Sequence, residues 1–459
     1  MRFAIGCFLL VMLTGPPLVG QQNQFQGSVP TGVPSSTPVP LTLHEAIDRG
    51  LKTNLGLLIS GSANESARGE RLRALSALIP QLNGRAGVTD EELDLKTVGF
   101  SLNLPGISIP TVAGPFHYTD VRASASWTVF DYTALKNYSA SRETKRAAQL
   151  SMLDARDLVV QATANGYLQV IADASRVEAI RSQVETSQAL YDRAVDQQQA
   201  GTAAGIDVLR SQVELKQQQQ RLLAQTNQFE KDKLTLGRVI GMPAGQEFNT
   251  SETAPFGPLA SLTQDQALQT ALQRRPDFQS GKARVREAEE TVKAARGERY
   301  PTAAVTADYG DVGPTLGDSH GTFSVVASAT IAVFDGGRIA GDVVQARSAL
   351  KQRQDELADL GGQIEYQVRT AFLDIRSAAD QVAVALDNLD LANQTLTQAR
   401  DRFSAGVSDT VEVVQAQESV ATANDTLISA LFAHNVAKVA LARALGGTEQ
   451  GIQQFLEVK

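Results

Sequence analysis

A heptad seam of apolar residues in the second half of the chain constrains the fold more than any other feature. Apolar residues recur there at alternating spacings of four and three, from Ile364 to Phe403. The twelve positions are Ile364, Val368, Ala371, Ile375, Ala378, Val382, Ala385, Leu389, Ala392, Leu396, Ala399 and Phe403. A seam with this period predicts long helices that supercoil around each other with a left hand.

Proline is absent from residues 116–242 and from residues 315–459, and intervals of this length without proline are typical of long helices. Each interval predicts a helix of roughly 70 residues, on the order of 100 Å long, followed by a return helix of roughly 40 residues. A shorter helix is expected before each pair, over 43–78 and 264–299, because both segments are amphipathic and stop just before a proline.

The first half carries a similar but interrupted seam. Its apolar positions are Val159, Gly166, Val170, Val177, Ile180, Val184, Tyr191 and Ala194, with polar interruptions at Thr163, Asp173 and Ser187. Gly201 and Gly406 follow the two seams, and glycine at such a position predicts a tight turn that ends the helix.

The composition argues against two classes of protein. Lys and Arg number 42 against 50 Asp and Glu, and the resulting net charge of −8 argues against a nucleic-acid-binding protein. No apolar run of about 20 residues occurs, which argues against a membrane protein built of several spanning helices. Aromatic residues make up only 5% of the chain, so a large conventional core is not expected either.

Residues 1–20 have the features of a secretory signal peptide. Arg2 precedes an apolar run over residues 3–13, and cleavage is expected near Gly20. Lipidation at Cys7 is an alternative, although only six residues precede that cysteine. Removal of the signal would leave a chain without cysteine, which suits an oxidising periplasm. Residues 21–40 are rich in Gln, Ser, Thr and Pro and are expected to form an extended linker.

The chain aligns with itself. Leu41-Thr42-Leu43 matches Leu262-Thr263-Gln264 at an offset of 221, and Val129-Phe130-Asp131 matches Val333-Phe334-Asp335 at an offset of 204. The change of offset places 17 extra residues in the first copy, between Val88 and Val121, and predicts a surface loop there. We therefore predict two tandem repeats, residues 41–242 and 262–447, joined by residues 243–261 and followed by a short tail, residues 448–459.

Between the short and the long helix of each half, the apolar period changes to two. The clearest alternating residues are Val121, Ala123, Ala125, Trp127 and Val129 in the first half and Phe323, Val325, Ala327, Ala329, Ile331 and Val333 in the second. Residues 81–88 and 302–309 alternate in the same way. This pattern predicts four transmembrane strands with one lipid face and one water face, although half-buried strands of a soluble sheet alternate similarly. Four strands cannot close a water-filled barrel, so a ring-shaped oligomer is expected.

Several segments occur in a fixed order with this duplication and spacing. They are Leu41-Thr42-Leu43-His44-Glu45-Ala46-Ile47, Leu262-Thr263-Gln264-Asp265-Gln266-Ala267-Leu268, Arg275-Pro276-Asp277, Val333-Phe334-Asp335-Gly336-Gly337-Arg338, Gln199-Ala200-Gly201 with Ile206-Asp207-Val208, and Phe403-Ser404-Ala405-Gly406 with Val411-Glu412-Val413. Together, over residues 41–447, they resemble the TolC family of outer-membrane efflux and secretion channels.

The resemblance implies a mainly helical fold with a small transmembrane β part. In that family three chains form a homotrimer, with a 12-stranded barrel in the outer-membrane lipid and a periplasmic tunnel of twelve coiled-coil helices. The tips of the helices meet a periplasmic adaptor (membrane fusion) protein, which is coupled to an inner-membrane pump. The implied function is a passive exit duct of a tripartite efflux pump or type I secretion system, for small molecules or polypeptides.

The resemblance also assigns roles near the two tips. Ala200 and Gly201 in the first half, and Ala405 and Gly406 in the second, would mark the turns where an adaptor docks. Asp207 and Glu412 each follow a tip glycine by six residues and are expected to face the pore as acidic constrictions. The alternative is that both acids stabilise a helix N-terminus.

One departure from the family pattern affects the expected gate. The best-known pattern has Tyr at the position of Phe403 and Arg at the position of Ser408, and the bonds of these residues hold the entrance shut. Here the hydroxyl and the cation are both missing, and Gln415 stands where a second acid would be. Packing around Phe403, or other pairs, would then hold the entrance.

Aromatic residues near the strand ends are expected to form a girdle at the membrane interface. They are Phe116, Tyr118, Trp127, Tyr309 and Phe323, and the alternative is packing under a loop. By alternation, Arg122 falls on the water face, where a charge belongs in a barrel.

No sequence pattern points to covalent chemistry. The chain has no Cys/His cluster, P-loop or nucleophile elbow, so we expect no enzyme activity, cofactor or metal site. A periplasmic coiled-coil adaptor or scaffold is the second interpretation, and it would explain the helices but not the alternating strands.

Overall fold

A computed structural model describes residues 24–97, 99, 111–202, 204–251, 256–257, 262–408 and 410–456. The predicted signal peptide, with Cys7, lies outside the described residues. Residues 98 and 100–110, in the loop expected between Val88 and Val121, lie outside them as well, whereas residues 89–94 and 112–120 belong to strands rather than to a loop.

Each half of the described chain contains a three-residue strand, two short helices, two long strands, a long helix and a return helix, in that order. The first half contains β1 (Val39–Leu41), α1 (Leu43–Thr53), α2 (Leu55–Ser76), β2 (Gln81–Asp94), β3 (Val112–Phe130), α3 (Tyr132–Gln199) and α4 (Gly205–Val239). The second contains β4 (Phe248–Thr250), α5 (Gln264–Arg274), α6 (Pro276–Gly297), β5 (Thr302–Thr315), β6 (Asp318–Thr330), α7 (Arg338–Ser404), α8 (Thr410–Leu445) and α9 (Thr448–Phe455).

The short helix expected at the start of each half is in fact two helices. Pro276 disfavours helical backbone at the residue before it, and Arg275 has ψ of 122° and separates α5 from α6. Asn54 separates α1 from α2 with ψ of 128°. The Asn54 side chain accepts a hydrogen bond from the Gly56 backbone N–H at 3.0 Å and donates to the Phe25 carbonyl at 2.7 Å. The first break therefore depends on a tertiary contact that local pattern does not contain.

The long seam of α7 is buried as predicted. Ten of its twelve residues are buried, and Leu389 and Phe403 are half-buried. The polar interruptions of the α3 seam are buried too, since Thr163, Asp173 and Ser187 are at most 2% exposed. Hydrophobic side chains alone therefore do not form the α3 seam.

One helix of the described chain, α8, has the length and hydropathy of a membrane-spanning segment. More than half of its most apolar stretch is buried inside the protein. Buried alanines such as Ala423, Ala430 and Ala437 account for much of that hydropathy, so packing within the protein explains it.

Four strands form one antiparallel sheet in the order β2-β3-β5-β6. The last strand is shorter than predicted, because β6 ends at Thr330, which pairs with Thr302 at the start of β5. Ile331 and Val333 have no strand beside them. They precede a turn in which Gly336 and Gly337 adopt positive φ angles of 64° and 91°.

The chain divides into two compact units, and α3 and α7 contribute to both. The first unit comprises the described residues within the ranges 1–62, 151–276 and 361–459. Its main apolar cluster surrounds Tyr167, which is fully buried and donates a hydrogen bond from its hydroxyl to the Leu41 carbonyl at 2.9 Å.

The segment before α1, predicted as a linker, is extended but attached to this first unit. Residues 39–41 pair in parallel with residues 248–250 of the inter-repeat segment. The Val29 N–H donates to the Thr53 carbonyl at 2.9 Å. Residues 448–455 of the predicted tail form α9, in which Ile452 and Phe455 are buried.

The second unit comprises residues 63–150 and 277–360 and contains the four-stranded sheet. Beside the sheet, α3 packs on α6 at Gly297, where a β-carbon would lie 2.6 Å from the Tyr132 ring. Lys136 of α3 forms a partly buried ion pair with Glu290 of α6 at 3.1 Å. These contacts connect α3, which follows β3, with α6, which precedes β5.

Candidate functional site

One face of the four-stranded sheet is apolar across all four strands. The register places Leu82, Ala125, Ala307 and Val325 in one row, and Gly84, Ala123, Tyr309 and Phe323 in the next. Leu82 and Phe323 are both 77% exposed. We call this surface the apolar face. A large exposed apolar surface on ordered strands has the character of a lipid-facing barrel wall.

The apolar face has a polar border. Asp311 pairs with Val121 and points to the same side of the sheet. Further along the strands, Asp90 pairs with His117, and their side chains lie 2.8 Å apart. Charged groups thus begin where the run of apolar rows ends.

The five candidate girdle aromatics divide between the two faces of the sheet. Trp127, Tyr309 and Phe323 lie on the apolar face, and Trp127 Nε1 donates to the Leu78 carbonyl at 3.2 Å. Phe116 and Tyr118 occupy even positions of β3 and lie on the opposite face, with ring centroids 6.3 Å apart. Because side chains alternate along a strand, these two residues cannot share the girdle of the other three.

The opposite face, which we call the polar face, carries Gln81, Asn83, Ser124, Ser126 and Thr306. Arg122 lies on this face, as the alternation predicted.

The Arg122 guanidinium connects three strands of the polar face. Its Nε contacts Asp120 at 3.2 Å, its Nη1 is paired with Asp308 of β5, and its Nη2 donates to Thr322 of β6 at 3.3 Å. Gly310 stands between Arg122 and Thr322 in the register, and a β-carbon there would lie 2.6 Å from Arg122 Cα. This position therefore accepts only glycine without a shift of the backbone.

The two predicted tip turns have the same geometry. Gly201 and Gly406 adopt positive φ angles of 72° and 73°. The N–H of Gly201 donates to the Gln198 carbonyl at 2.9 Å, and the next N–H, of Thr202, donates to Gln197 at 2.9 Å. The bonds around Gly406 are equivalent, which makes both turns Schellman caps. Ala200 and Ala405, the residues just before the glycines, are exposed.

Asp207 and Glu412 lie in the first turns of α4 and α8, a position that stabilises a helix N-terminus. Asp207 is 3.7 Å from Arg210. Glu412 lies 3.4 Å from Arg402 of α7 and accepts a hydrogen bond from the Ser408 hydroxyl. The pore-facing role of the two acids stays a prediction, but Glu412 clearly connects the two sides of its own turn.

Phe403 packs inside the protein near the second tip. It lies against a cluster of buried residues, Leu190, Leu396, Ala399, Val413 and Ala416. The Arg193 guanidinium of α3 lies over the Phe403 ring, 5.6 Å from its centroid. Gln415 is exposed and stands apart from this cluster.

Two cations near the second tip carry no signal in the sequence pattern. Arg193 and Arg402 are ordinary charged positions in a helical pattern, and only the packing of α3 beside α7 and α8 gives them partners. Farther along the helices, Arg221 of α4 makes two hydrogen bonds to the Glu418 carboxylate, at 2.8 and 2.9 Å. No pattern within a single helix could have identified these pairs.

No group of three or more His, Cys, Asp or Glu side chains in the described ranges is arranged to hold a metal ion. The charged groups that the structure brings together are ion pairs across strands and helices.

Comparison with known proteins identifies one family. The model of the outer membrane efflux protein family matches residues 57–242 and 267–447, which is most of the chain in two separate segments.

Curated relatives include the pyoverdine export outer membrane protein OpmQ of Pseudomonas aeruginosa, 23% identical over 429 residues, with 91% of this chain and 87% of the relative covered. The outer membrane efflux protein BepC of Brucella suis is 24% identical, with 85% of this chain and 88% of the relative covered.

Solved structures share the fold. The CmeC outer membrane channel of Campylobacter jejuni superposes with a TM-score of 0.74 at 17% identity, covering 90% of this chain and 88% of its own. The outer membrane protein VceC of Vibrio cholerae superposes with a TM-score of 0.74 at 18% identity, covering 88% and 96%.

Proposed function

Because the chain belongs to the outer membrane efflux protein family, we propose that it forms the passive exit duct of a tripartite efflux pump or type I secretion system. It is an outer-membrane channel protein of an efflux system, and its helices extend into the periplasm. The exposed apolar face of a sheet attached to long helices is the observation that carries this assignment.

The open edges of the sheet support closure by further copies. β2 and β6 are the edge strands and run in opposite directions, so β6 of one copy can pair antiparallel with β2 of the next. Three copies would give twelve strands, enough to enclose a water-filled lumen lined by the polar face. The homotrimer thereby removes edges that would otherwise promote aggregation.

The helices would form the second part of the duct. Each copy would contribute α3, α4, α7 and α8, so that three copies make a tunnel of twelve helices. A periplasmic adaptor would dock at the tip turns of Gly201 and Gly406, and an inner-membrane pump would supply the energy. The channel itself would carry out no covalent chemistry.

We also propose how the precursor is organised. Residues 1–20 would be removed as a signal peptide. Residues 41–242 and 262–447 would be copies of one ancestral unit, joined by residues 243–261 and followed by a short C-terminal tail, residues 448–459. The constant order of elements in the two halves supports the duplication.

At the tips, we propose a gate held by packing and by two arginines. Phe403 in its apolar cluster, with Arg193 over its ring, would take the place of the missing Tyr hydroxyl. Glu412 would act with Arg402 across the second turn. Trp127, Tyr309 and Phe323 would form the aromatic girdle.

The second interpretation, a periplasmic adaptor or scaffold, does not explain why the apolar face is exposed. A soluble protein rarely exposes a contiguous apolar surface of this extent.

A pair of arginine substitutions on one strand tests the assignment. Val325 lies on the apolar face and Ser328 on the polar face of β6. An arginine on the lipid face near the middle of the bilayer costs about 2–4 kcal/mol, whereas the lumen face tolerates it. We expect Val325→Arg to abolish the trimer that migrates as a heat-sensitive band from outer-membrane fractions, and Ser328→Arg to retain it.

Conductance in planar lipid bilayers is the second measurement, and the wild-type trimer should form open pores. A wild-type protein found as a soluble periplasmic monomer would overturn the proposal. Equal effects of the two arginine variants would remove the lipid-facing role of the apolar face.

A further inference from the structure

Arg85 lies directly opposite Arg122 on the polar face of the sheet. The same row continues to Gly310 and Thr322 on the other two strands. Two guanidinium groups thus occupy neighbouring positions of one row, and like charges directly opposite each other across a strand pair are unfavourable unless they are compensated.

The two arginines differ in how far nearby acids compensate their positive charge. Arg122 is paired with both Asp120 and Asp308, so that this group of three side chains carries one net negative charge. Arg85 is exposed and forms no ion pair with any residue that the structure describes. Its guanidinium therefore contributes a full positive charge to this row.

The adjacent rows of the polar face contribute little further charge. The row on one side contains Asn83, Ser124, Asp308 and Ser324, and the row on the other contains Gly87, Asp120, Val312 and His320. The two acids of these rows are the partners of Arg122. Glu91, the next charged residue of β2 on this face, is six positions from Arg85, or about 20 Å along the strand.

We propose that Arg85 determines the charge selectivity of the barrel lumen by keeping it passable to anionic solutes. The inference rests on the proposed channel function and adds to it. In a closed barrel of three chains, three Arg85 guanidinium groups would balance three net negative charges at the same level of the wall. Without Arg85, the ring of side chains at this level of the wall would carry a net negative charge and would repel anions. Fixed charges on a pore wall set the local concentration of each ion.

The reversal potential under a KCl gradient across planar bilayers measures this effect. Arg85→Gln should raise the permeability ratio of K⁺ to Cl⁻ by roughly twofold or more. Arg85→Lys, which keeps the charge, should leave the ratio as in the wild type. The difference between wild type and Arg85→Gln should be larger at 0.1 M than at 1 M salt, because the Debye length falls from about 10 Å to about 3 Å.

A cysteine variant allows the charge at position 85 to be changed after the pore has formed, so that an effect of the substitution on folding does not enter the comparison. In Arg85→Cys pores, a cationic thiol reagent should return the permeability ratio to the wild-type value, and an anionic reagent should raise it further. Open pores whose ratio is the same in wild type, Arg85→Gln and both modified forms of Arg85→Cys would overturn the role of Arg85. A wild-type protein that forms no pores at all would instead overturn the proposed function.

Discussion

Gln225 of α4 donates a hydrogen bond of 3.1 Å from its side-chain amide to the carboxylate of Asp173 on α3. Asp173 is only 1% exposed and accepts further hydrogen bonds from Gln169 at 2.9 Å and Arg176 at 3.1 Å. A buried carboxylate with several donors is costly to leave unpaired, so this bond fixes how the two helices align.

The bond belongs to a polar line in the seam of α4. A polar residue occurs there at every seventh position. The equivalent position of the second repeat, 205 residues further along the chain, is alanine in every case. The polar residues are Ser211, Gln218, Gln225 and Asp232, and their counterparts on α8 are Ala416, Ala423, Ala430 and Ala437. Asp173 itself corresponds to Ala378 of α7. The first helix pair therefore has polar contacts, such as Gln225 to Asp173, at positions where the second pair packs buried alanines.

The pH dependence of the first helix pair follows from Asp232. Burial raises the pKa of the Asp232 carboxyl above its ordinary value of 3.8, and the nearby Asp173 carboxylate raises it further, against a hydrogen bond from Gln228. A raised pKa in the folded state means that the protonated carboxyl favours folding. Its contribution is complete below pH 3.8 and is lost as the pH rises through the raised value.

We therefore expect Asp232→Asn, which mimics the protonated carboxyl, to slow hydrogen exchange in α3 and α4 at pH 8 relative to the wild type. The difference should shrink as the pH falls toward 4. The exposed Asp380 of α7 offers a matched control, and Asp380→Asn should leave this pH dependence unchanged. A variant of Asp232 with the wild-type pH profile would show that the shared contact with Asp173 has no energetic consequence.

Loss of the Asp173 carboxylate should weaken the same helix pair at every pH. Asp173→Ala removes the acceptor of the half-buried amides of Gln169 and Gln225, and one acceptor of Arg176, at a cost of about 1–3 kcal/mol. We expect a lower melting temperature by circular dichroism at 222 nm in detergent. Adding Gln225→Ala should cost less in the Asp173→Ala background than in the wild type, and equal costs would contradict the coupling.

The strand register predicts a strict requirement for glycine at position 310. A β-carbon at Gly310 would lie 2.5 Å from the Val121 carbonyl oxygen, whereas one at Gly84 of β2 would meet no atom within 4 Å. Gly310→Ala should therefore destabilise the sheet by about 1–3 kcal/mol and lower the temperature at which the proposed trimer dissociates on gels. Gly84→Ala is the matched control and should behave like the wild type.

Phe403 should restrict conduction at the tips. Phe403→Ala removes the ring from its apolar cluster and from the Arg193 guanidinium, so we expect a higher single-channel conductance in planar bilayers. Arg193→Gln keeps the cluster but removes the cation, and its conductance should lie between those of the wild type and Phe403→Ala. Unchanged conductance in Phe403→Ala would exclude this residue from the gate.

Glu412 and Arg402 should affect the same gate through charge. Their ion pair spans 3.4 Å between exposed or half-exposed side chains, so its stability contribution is small, at about 0.2–1 kcal/mol. We expect Glu412→Gln to leave the melting temperature nearly unchanged while it lowers the K⁺ to Cl⁻ permeability ratio. A ratio unaffected by this change would leave Glu412 with only its role in the first turn of α8.

Much of the fold could be predicted because its signals are local and periodic. The heptad spacing of Ile364 to Phe403 and the alternation around Trp127 each report which side of an element is apolar. The turns at Gly201 and Gly406 could be placed for the same reason, since a left-handed residue that ends a helix favours glycine. The break at Asn54 could not, because it depends on Phe25, which is distant in sequence.

By itself, the sequence determined the types of element, their order in the two halves and the positions of the tips, since propensity and period act within a few residues. Only the tertiary structure decided which face Phe116 and Tyr118 occupy, that Arg122 joins three strands, and that Asp173 meets Gln225. Those relationships depend on register between segments, where a shift of one residue moves a side chain to the opposite face of a sheet. The uncompensated charge of Arg85 also depends on this register. Only the register places Arg85 beside Arg122, and the nearby acids Asp120 and Asp308 are paired with Arg122.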